Sequence, residues 1–158
     1  MRYESKLIAL LLLDWITFAV YAKEDAPVLE MPIACTIGVD CFVQNYVDTD
    51  PSSAYTDYHC GFLSYDEHKG TDFRLKSGNA LVTEVPVLAA ADGVVRATRD
   101  GMDDINVRVL GRAALQGKDA GNSVVIVHSK NWETQYAHLK KNSVAVKPGQ
   151  IVSRGTVL

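Results

Sequence analysis

A chain of 158 residues is long enough to bury one hydrophobic core and too short for two comfortable domains. Its apolar fraction of 47% and charged fraction of 22% are those of an ordinary globular protein. A net charge of -3, with the 16 Lys and Arg residues scattered along the chain, leaves no clustered basic face and excludes a nucleic-acid partner.

Residues 1–22 read as an export signal. Arg2 and Lys6 precede an apolar run at 7–13, a second run follows at 15–21, and Val20-Tyr21-Ala22 places small residues where a signal peptidase reads. Cleavage after Ala22 is expected. The segment is short for a transmembrane span, and Asp14 would cost about 2.5–3.5 kcal/mol at the centre of an inserted helix. The mature chain is therefore expected in the periplasm or cell envelope, without a stable membrane span. In an oxidising compartment Cys35, Cys41 and Cys60 should form one bridge, and three pairings are open. A Cys41–Cys60 bridge would be worth about 3 kcal/mol in the chain-entropy picture. No C-x-x-C pair is present, which argues against a cysteine zinc site.

Residues 23–61 form a loop-rich lead-in, with the clearest turn signals at 48–53. From Val85 onward the pattern is β. A short apolar run at 86–91 meets the turn Asp92-Gly93, and a strand is expected at 94–98. Residues 106–110 alternate loosely. The β-branched run at 124–127 predicts a strand covered on both faces. Ser129-Lys130-Asn131 then turns the chain into a hairpin partner at 133–139. Short strands at 144–146 and 151–152 flank the turn Lys147-Pro148-Gly149. Residues 100–120 are polar and glycine-punctuated, a long loop or irregular hairpin suited to specificity. The expectation is an all-β domain with an antiparallel sheet core, a sandwich or a partly open barrel, over residues 62–158.

The chemistry concentrates at 65–73. Zinc takes imidazole nitrogen and carboxylate oxygen converging at about 2.0–2.2 Å. His68 and Asp72, four apart, share a face on a helix and also on an extended chain, and Gly70 between them favours the extended case. The spacing alone is weak, since with 19 acidic residues in 158 roughly one histidine in eight has an acidic residue four places on. A surface ion pair is the plain alternative.

His68-x-Gly70-x-Asp72, however, does not stand alone. It resembles the first zinc motif of the M23 (lysostaphin/LytM-type) metallopeptidases. The run Val87-Leu88-Ala89-Ala90-Ala91-Asp92-Gly93-Val94-Val95 is similar to the strand-turn-strand that follows it. Gly121-Asn122-Ser123-Val124 through Tyr136-Ala137-His138-Leu139 is similar to the family's G-N-x-V hairpin ending in Y-x-H-L. Val146-Lys147-Pro148-Gly149-Gln150-Ile151-Val152 is similar to its V-x-x-G-x-x-V turn. The resemblance spans about Tyr65 to Leu158, with four motifs in order.

It implies the antiparallel core of an M23 peptidase, His68 and Asp72 as Zn2+ ligands, and His138 as a catalytic histidine that hydrogen-bonds the attacking water or the developing oxyanion. It also implies peptidoglycan peptides as substrate. The family pattern closes on an H-x-H motif carrying a third ligand and a second catalytic histidine. No such motif occurs in these 158 residues, so a C-terminally truncated chain is expected. His59 and His128 do not fit that motif and read as structural. The alternative function is a non-catalytic M23-like module that binds or regulates in the cell wall, against which the retention of His68, Asp72 and His138 argues. A biotinyl- or lipoyl-type carrier, suggested by the Lys147-Pro148-Gly149 turn, lacks a suitable exposed lysine.

Overall fold

The structure, a computed structural model, describes residues 26–76 and 84–158; the expected signal at 1–22 lies outside the described residues. The strands are β1 (Cys41–Asn45), β2 (Asp72–Leu75), β3 (Gly93–Arg99), β4 (Asn122–Ser129), β5 (Trp132–Leu139) and β6 (Ile151–Val152). Every pairing between them is antiparallel. β1 and β2 form a two-stranded sheet, and a four-stranded sheet runs in the order β5-β4-β3-β6. The all-β antiparallel expectation holds, and the larger sheet stays open, with β5 and β6 at its edges.

The core lies on one face of the larger sheet. Val124 and Ile126 of β4 are fully enclosed, Val95, Tyr136 and Val152 extend the layer on neighbouring strands, and Ala89, Ala90, Val146 and Leu158 cover it. β4 was expected to be covered on both faces, but Val125 and Val127 are only half-buried. Their face is crossed by the exposed Arg96–Glu133 ion pair (3.0 Å), reaching from β3 to β5 over β4. Side-chain stems of that kind shield apolar surface without excluding water.

Gly93 is required by close approach. A Cβ there would meet the Val127 carbonyl oxygen at 2.5 Å and Ile126 Cγ2 at 2.6 Å. The same approach brings the Asp92 carbonyl to His128 Nδ1, at 2.7 Å. A carbonyl only accepts, so His128 Nδ1 carries the proton. Nε2 lies 2.8 Å from Thr134 Oγ1, Thr134 Oγ1 donates to the Tyr136 hydroxyl (3.0 Å), and the Tyr136 hydroxyl accepts from Ala90 N–H (2.7 Å). Each polar group in this chain is satisfied, and both His128 nitrogens are committed to structure, as the sequence suggested.

Two segments differ from their sequence pattern. Residues 106–110, which alternate loosely within the expected loop or irregular hairpin of 100–120, contain a single helical turn α1 (Val107–Leu110). Asn106 caps it by accepting from Arg108 N–H, and Gly111 at φ 82° ends it. Val109 is 81% exposed, so the alternation there serves no buried face. A 3-10 turn, Arg112–Leu115, follows. Residues 144–146 are not a strand: Ala145 N–H donates to the Leu158 carbonyl (3.0 Å), and Val146 alone is buried.

Candidate metal centre and active site

The site is built on the smaller sheet. A β-bulge between Val43 and Asn45 sets Asn45 opposite Asp72, the first residue of β2. His68, 8% exposed, sits in the turn before β2 with its ring stacked on that of Tyr65 (centroids 4.3 Å, interplanar 25°). His68 Nδ1 lies 2.7 Å from the Tyr46 carbonyl oxygen, and Nε2 lies 3.3 Å from Asp72 Oδ1. The other carboxylate oxygen, Asp72 Oδ2, accepts from Asn45 Nδ2 (2.9 Å). Gly70 lies beside the ring, where a Cβ would sit 3.9 Å from His68 Nε2, in ordinary contact.

The geometry tests whether these residues suit a metal. The Tyr46 carbonyl can only accept, so Nδ1 holds the proton, and in the neutral ring Nε2 turns a lone pair toward a carboxylate oxygen. Two lone pairs converging in this way repel unless a proton or a metal ion stands between them. Two tetrahedral zinc ligands, each about 2.0–2.1 Å from the ion, stand about 3.3 Å apart. The donor set and its spacing fit. A backbone carbonyl on the far nitrogen of a histidine is also the usual partner that fixes a metal-binding ring.

Residues that sequence reading passed over hold this turn in place. Asp48 Oδ1 accepts from the N–H groups of Asp50 (3.0 Å) and Thr56 (3.1 Å), and Oδ2 accepts from Glu67 N–H (3.0 Å). The Asp48 N–H donates to the His68 carbonyl (2.8 Å). Partial burial pushes the Asp48 carboxyl upward, but these three donors and nearby His68 carry it below the ordinary carboxylate value. Asp57, 4% exposed, gathers the N–H groups of His59 (2.9 Å), Gly61 (2.9 Å) and Leu63 (3.1 Å). The Gly61 donor is the main reason its carboxyl lies below the ordinary value, against the opposing effect of burial. The available signal was Asp at the head of turn-forming stretches, where a carboxylate collects backbone donors.

His138 belongs to the other sheet. It is exposed near the end of β5 in the left-handed conformation (φ 58°), with its N–H donated to the Ala120 carbonyl (2.9 Å). The Gly-Asn of the sequence motif explains this placement. Gly121 lies beside His138 at φ 58°, a left-handed backbone that a side chain would strain. Asn122, 2% exposed, donates to the Leu139 and Met102 carbonyls and accepts from Met102 N–H. The motif thus locks the strand end that presents the histidine. A non-glycine residue held at positive φ stores strain of the kind that collects at functional sites. The structure brings His68 and Asp72 together and leaves His138 outside that pair. Among the described residues, the one trio of His, Cys, Asp or Glu with ligand atoms within 4.8 Å is Cys35, Asp40 and Cys41.

That trio is not a metal site, because Cys35 and Cys41 form the disulfide. Of the three pairings left open, the structure selects the one that closes the turn before β1, and Cys60 is free and exposed. The Cys41–Cys60 alternative is not made. Cys41 opens β1 and is 1% exposed, while Cys35 reaches it across a turn containing Gly38 at φ 85°.

The antiparallel β scaffold thus presents a converging His and Asp from a His-x-Gly-x-Asp turn. The sequence profile of Peptidase family M23 matches residues 66–158, more than half of the chain, and the chain belongs to that family. It is similar to the peptidoglycan DD-endopeptidase ShyA of Vibrio cholerae serotype O1, with 39% identity over 88 residues. It is also similar to an uncharacterized metalloprotease of Haemophilus influenzae, with 34% identity over 88 residues. Each alignment covers 56% of this chain but only 15% and 14%, respectively, of those relatives. No solved structure matches the chain. Among the described residues no helix is long and apolar enough to cross a membrane.

Proposed function

We propose that this chain carries the catalytic scaffold of a zinc-dependent endopeptidase that hydrolyses peptide cross-links of bacterial peptidoglycan in the cell envelope. The observation that carries the reading is the 3.3 Å approach of His68 Nε2 to Asp72 Oδ1, with the opposite ring nitrogen committed to the Tyr46 carbonyl. His68 and Asp72 hold the metal. Zinc bound there would polarise the scissile carbonyl and make a water nucleophilic near neutral pH. His138 acts as the catalytic histidine, exchanging a proton with the attacking water or steadying the developing oxyanion. The exposed ring and its locked backbone suit that task. The substrate class is supported by the endopeptidase relative, and envelope location by that substrate together with the leader at 1–22.

A catalytic zinc site uses three protein ligands. Family resemblance assigns the third to an H-x-H segment, so turnover is assayed on a chain carrying such a segment after Leu158. Zinc is titrated by equilibrium dialysis into that chain and its His68→Ala and Asp72→Ala variants, and soluble muropeptides released from purified peptidoglycan are counted. Loss of zinc and of release in both variants is expected. Zinc binding indifferent to both substitutions would reduce the His68–Asp72 pair to an ion pair and overturn the reading.

A further inference from the structure

We infer that Asn45 is a positioning residue for the metal-binding carboxylate, and that it sets Asp72 to offer one oxygen rather than two. The inference rests on the reading of His68 and Asp72 as ligands. A carboxylate on a short side chain can rotate and present either oxygen, or both, to a cation. Here the choice is already made. Oδ1 faces His68 Nε2, and Oδ2 is taken by the Asn45 amide at 2.9 Å. With a donor on Oδ2, rotation of the carboxylate would break a hydrogen bond, so Oδ1 stays directed at the converging lone pair.

The placement of Asn45 is specific in the backbone as well. Up to Val43, β1 pairs with β2 in regular register; the bulge after it moves Asn45 opposite Asp72. Bulges re-aim a side chain at the end of a strand pair, and this one aims an amide at a carboxylate. The next residue completes the arrangement, because the Tyr46 carbonyl receives His68 Nδ1–H. It also receives the Ser64 hydroxyl at 2.9 Å, and Tyr46 N–H donates to the Leu63 carbonyl at 2.7 Å. Two adjacent residues of β1 and its extension therefore orient both ligands, one through a side chain and one through the backbone. The backbone half cannot be removed by substitution, whereas the Asn45 half can.

The test uses Co2+ as the probe on the chain carrying an H-x-H segment after Leu158, in which three protein ligands are available, read by its visible absorption and by the concentration at half-saturation. Asn45→Ala removes the donor, and Asn45→Leu removes it while keeping the volume, so that one variant remains informative if the other folds poorly. Gln44→Ala is the control, since it deletes a different contact of the same strand pair, Arg74 Nη1 to Gln44 Oε1 at 3.4 Å. Both Asn45 variants should bind Co2+ about 10–100-fold more weakly, as is usual for loss of a group that orients a ligand, and with an altered spectrum. Gln44→Ala should bind like the parent. A folded Asn45→Leu chain with parental affinity and spectrum overturns the inference, and so does a Gln44→Ala chain weakened equally, which would make the effect one of strand pairing. Parental binding unchanged by His68→Ala, or no binding at all, removes the metal reading itself and the inference with it.

Discussion

The two sheets are held by opposite means. In the larger one, β4 encloses Val124 and Ile126 completely, and neighbouring strands pack Val95, Tyr136 and Val152 beside them. In the smaller one, Phe42 on β1 is 41% exposed, and order comes from Asp48, Asp57 and Asn45 reaching backbone groups and one carboxylate. On the proposed metal-binding reading, the turn must leave lone pairs uncovered, so burial of apolar surface around them cannot be what fixes it. Polar side chains bonded to the backbone fix it instead, each contributing roughly 0.5–1.5 kcal/mol in a typical case. The apolar scaffold and the polar turn that carries His68 and Asp72 are therefore separable, and substitutions should tell them apart.

The largest expected effect is on turnover. In a chain carrying an H-x-H segment, His138→Ala should retain zinc, measured by atomic absorption, while peptidoglycan hydrolysis falls about 10²–10⁴-fold. Zinc lost with His138 would make it a ligand, and full activity would make it a bystander. Next comes the core. Ile126→Ala should lower the unfolding free energy by about 2–5 kcal/mol in urea titrations, the range for a fully buried aliphatic side chain. Its affinity for Zn2+ at a temperature where it stays folded should remain parental; a large loss would couple the two sheets after all.

A milder effect is expected in acid. The Asp57 carboxyl lies below its ordinary value of 3.8 in the folded chain, so its contribution is complete above that value and is lost as the pH falls through the lowered folded value. Hydrogen exchange at Gly61 and Leu63 should accelerate below about pH 4, with Val124 and Ile126 amides still protected, and Asp57→Asn should flatten that dependence. Simultaneous exposure of both regions would contradict the division. The smallest effect belongs to Cys60→Ser, an exposed thiol outside the disulfide, which should shift stability by less than about 0.5 kcal/mol in the same urea titration.

Much of the larger sheet was legible because its strands repeat a physical pattern. The β-branched run of β4, the turn Ser129-Lys130-Asn131 and the glycine at Gly93 each leave a local mark. His68 and Asp72 were legible as a pair because few residue types bind zinc and the motif order limited the choice. Asn45 left no such mark. Its role depends on a bulge and on a partner far along the chain, which its local spacing does not encode; Asp48 did head a turn-forming stretch, but its bond to Glu67 N–H joins segments that the local signal does not. The loose alternation at 106–110 carried no usable signal for the opposite reason. It was real, but with Val109 exposed it had no core to face, and Asn106 favoured a capped turn instead. The disulfide was undetermined because composition counts thiols and only the fold brings Cys35 to Cys41.

The pairing of β1 with β2 has a consequence for where this unit may be cut. The family profile begins at residue 66, yet the groups bonded to Asp72 and His68, the Asn45 amide and the Tyr46 carbonyl, lie about twenty positions upstream of that start. A chain trimmed to the recognisable stretch would keep the amino acids that name the family and lose the neighbours that aim them. The heritable signature and the working part have different edges, and an engineer transplanting this site would have to follow the second.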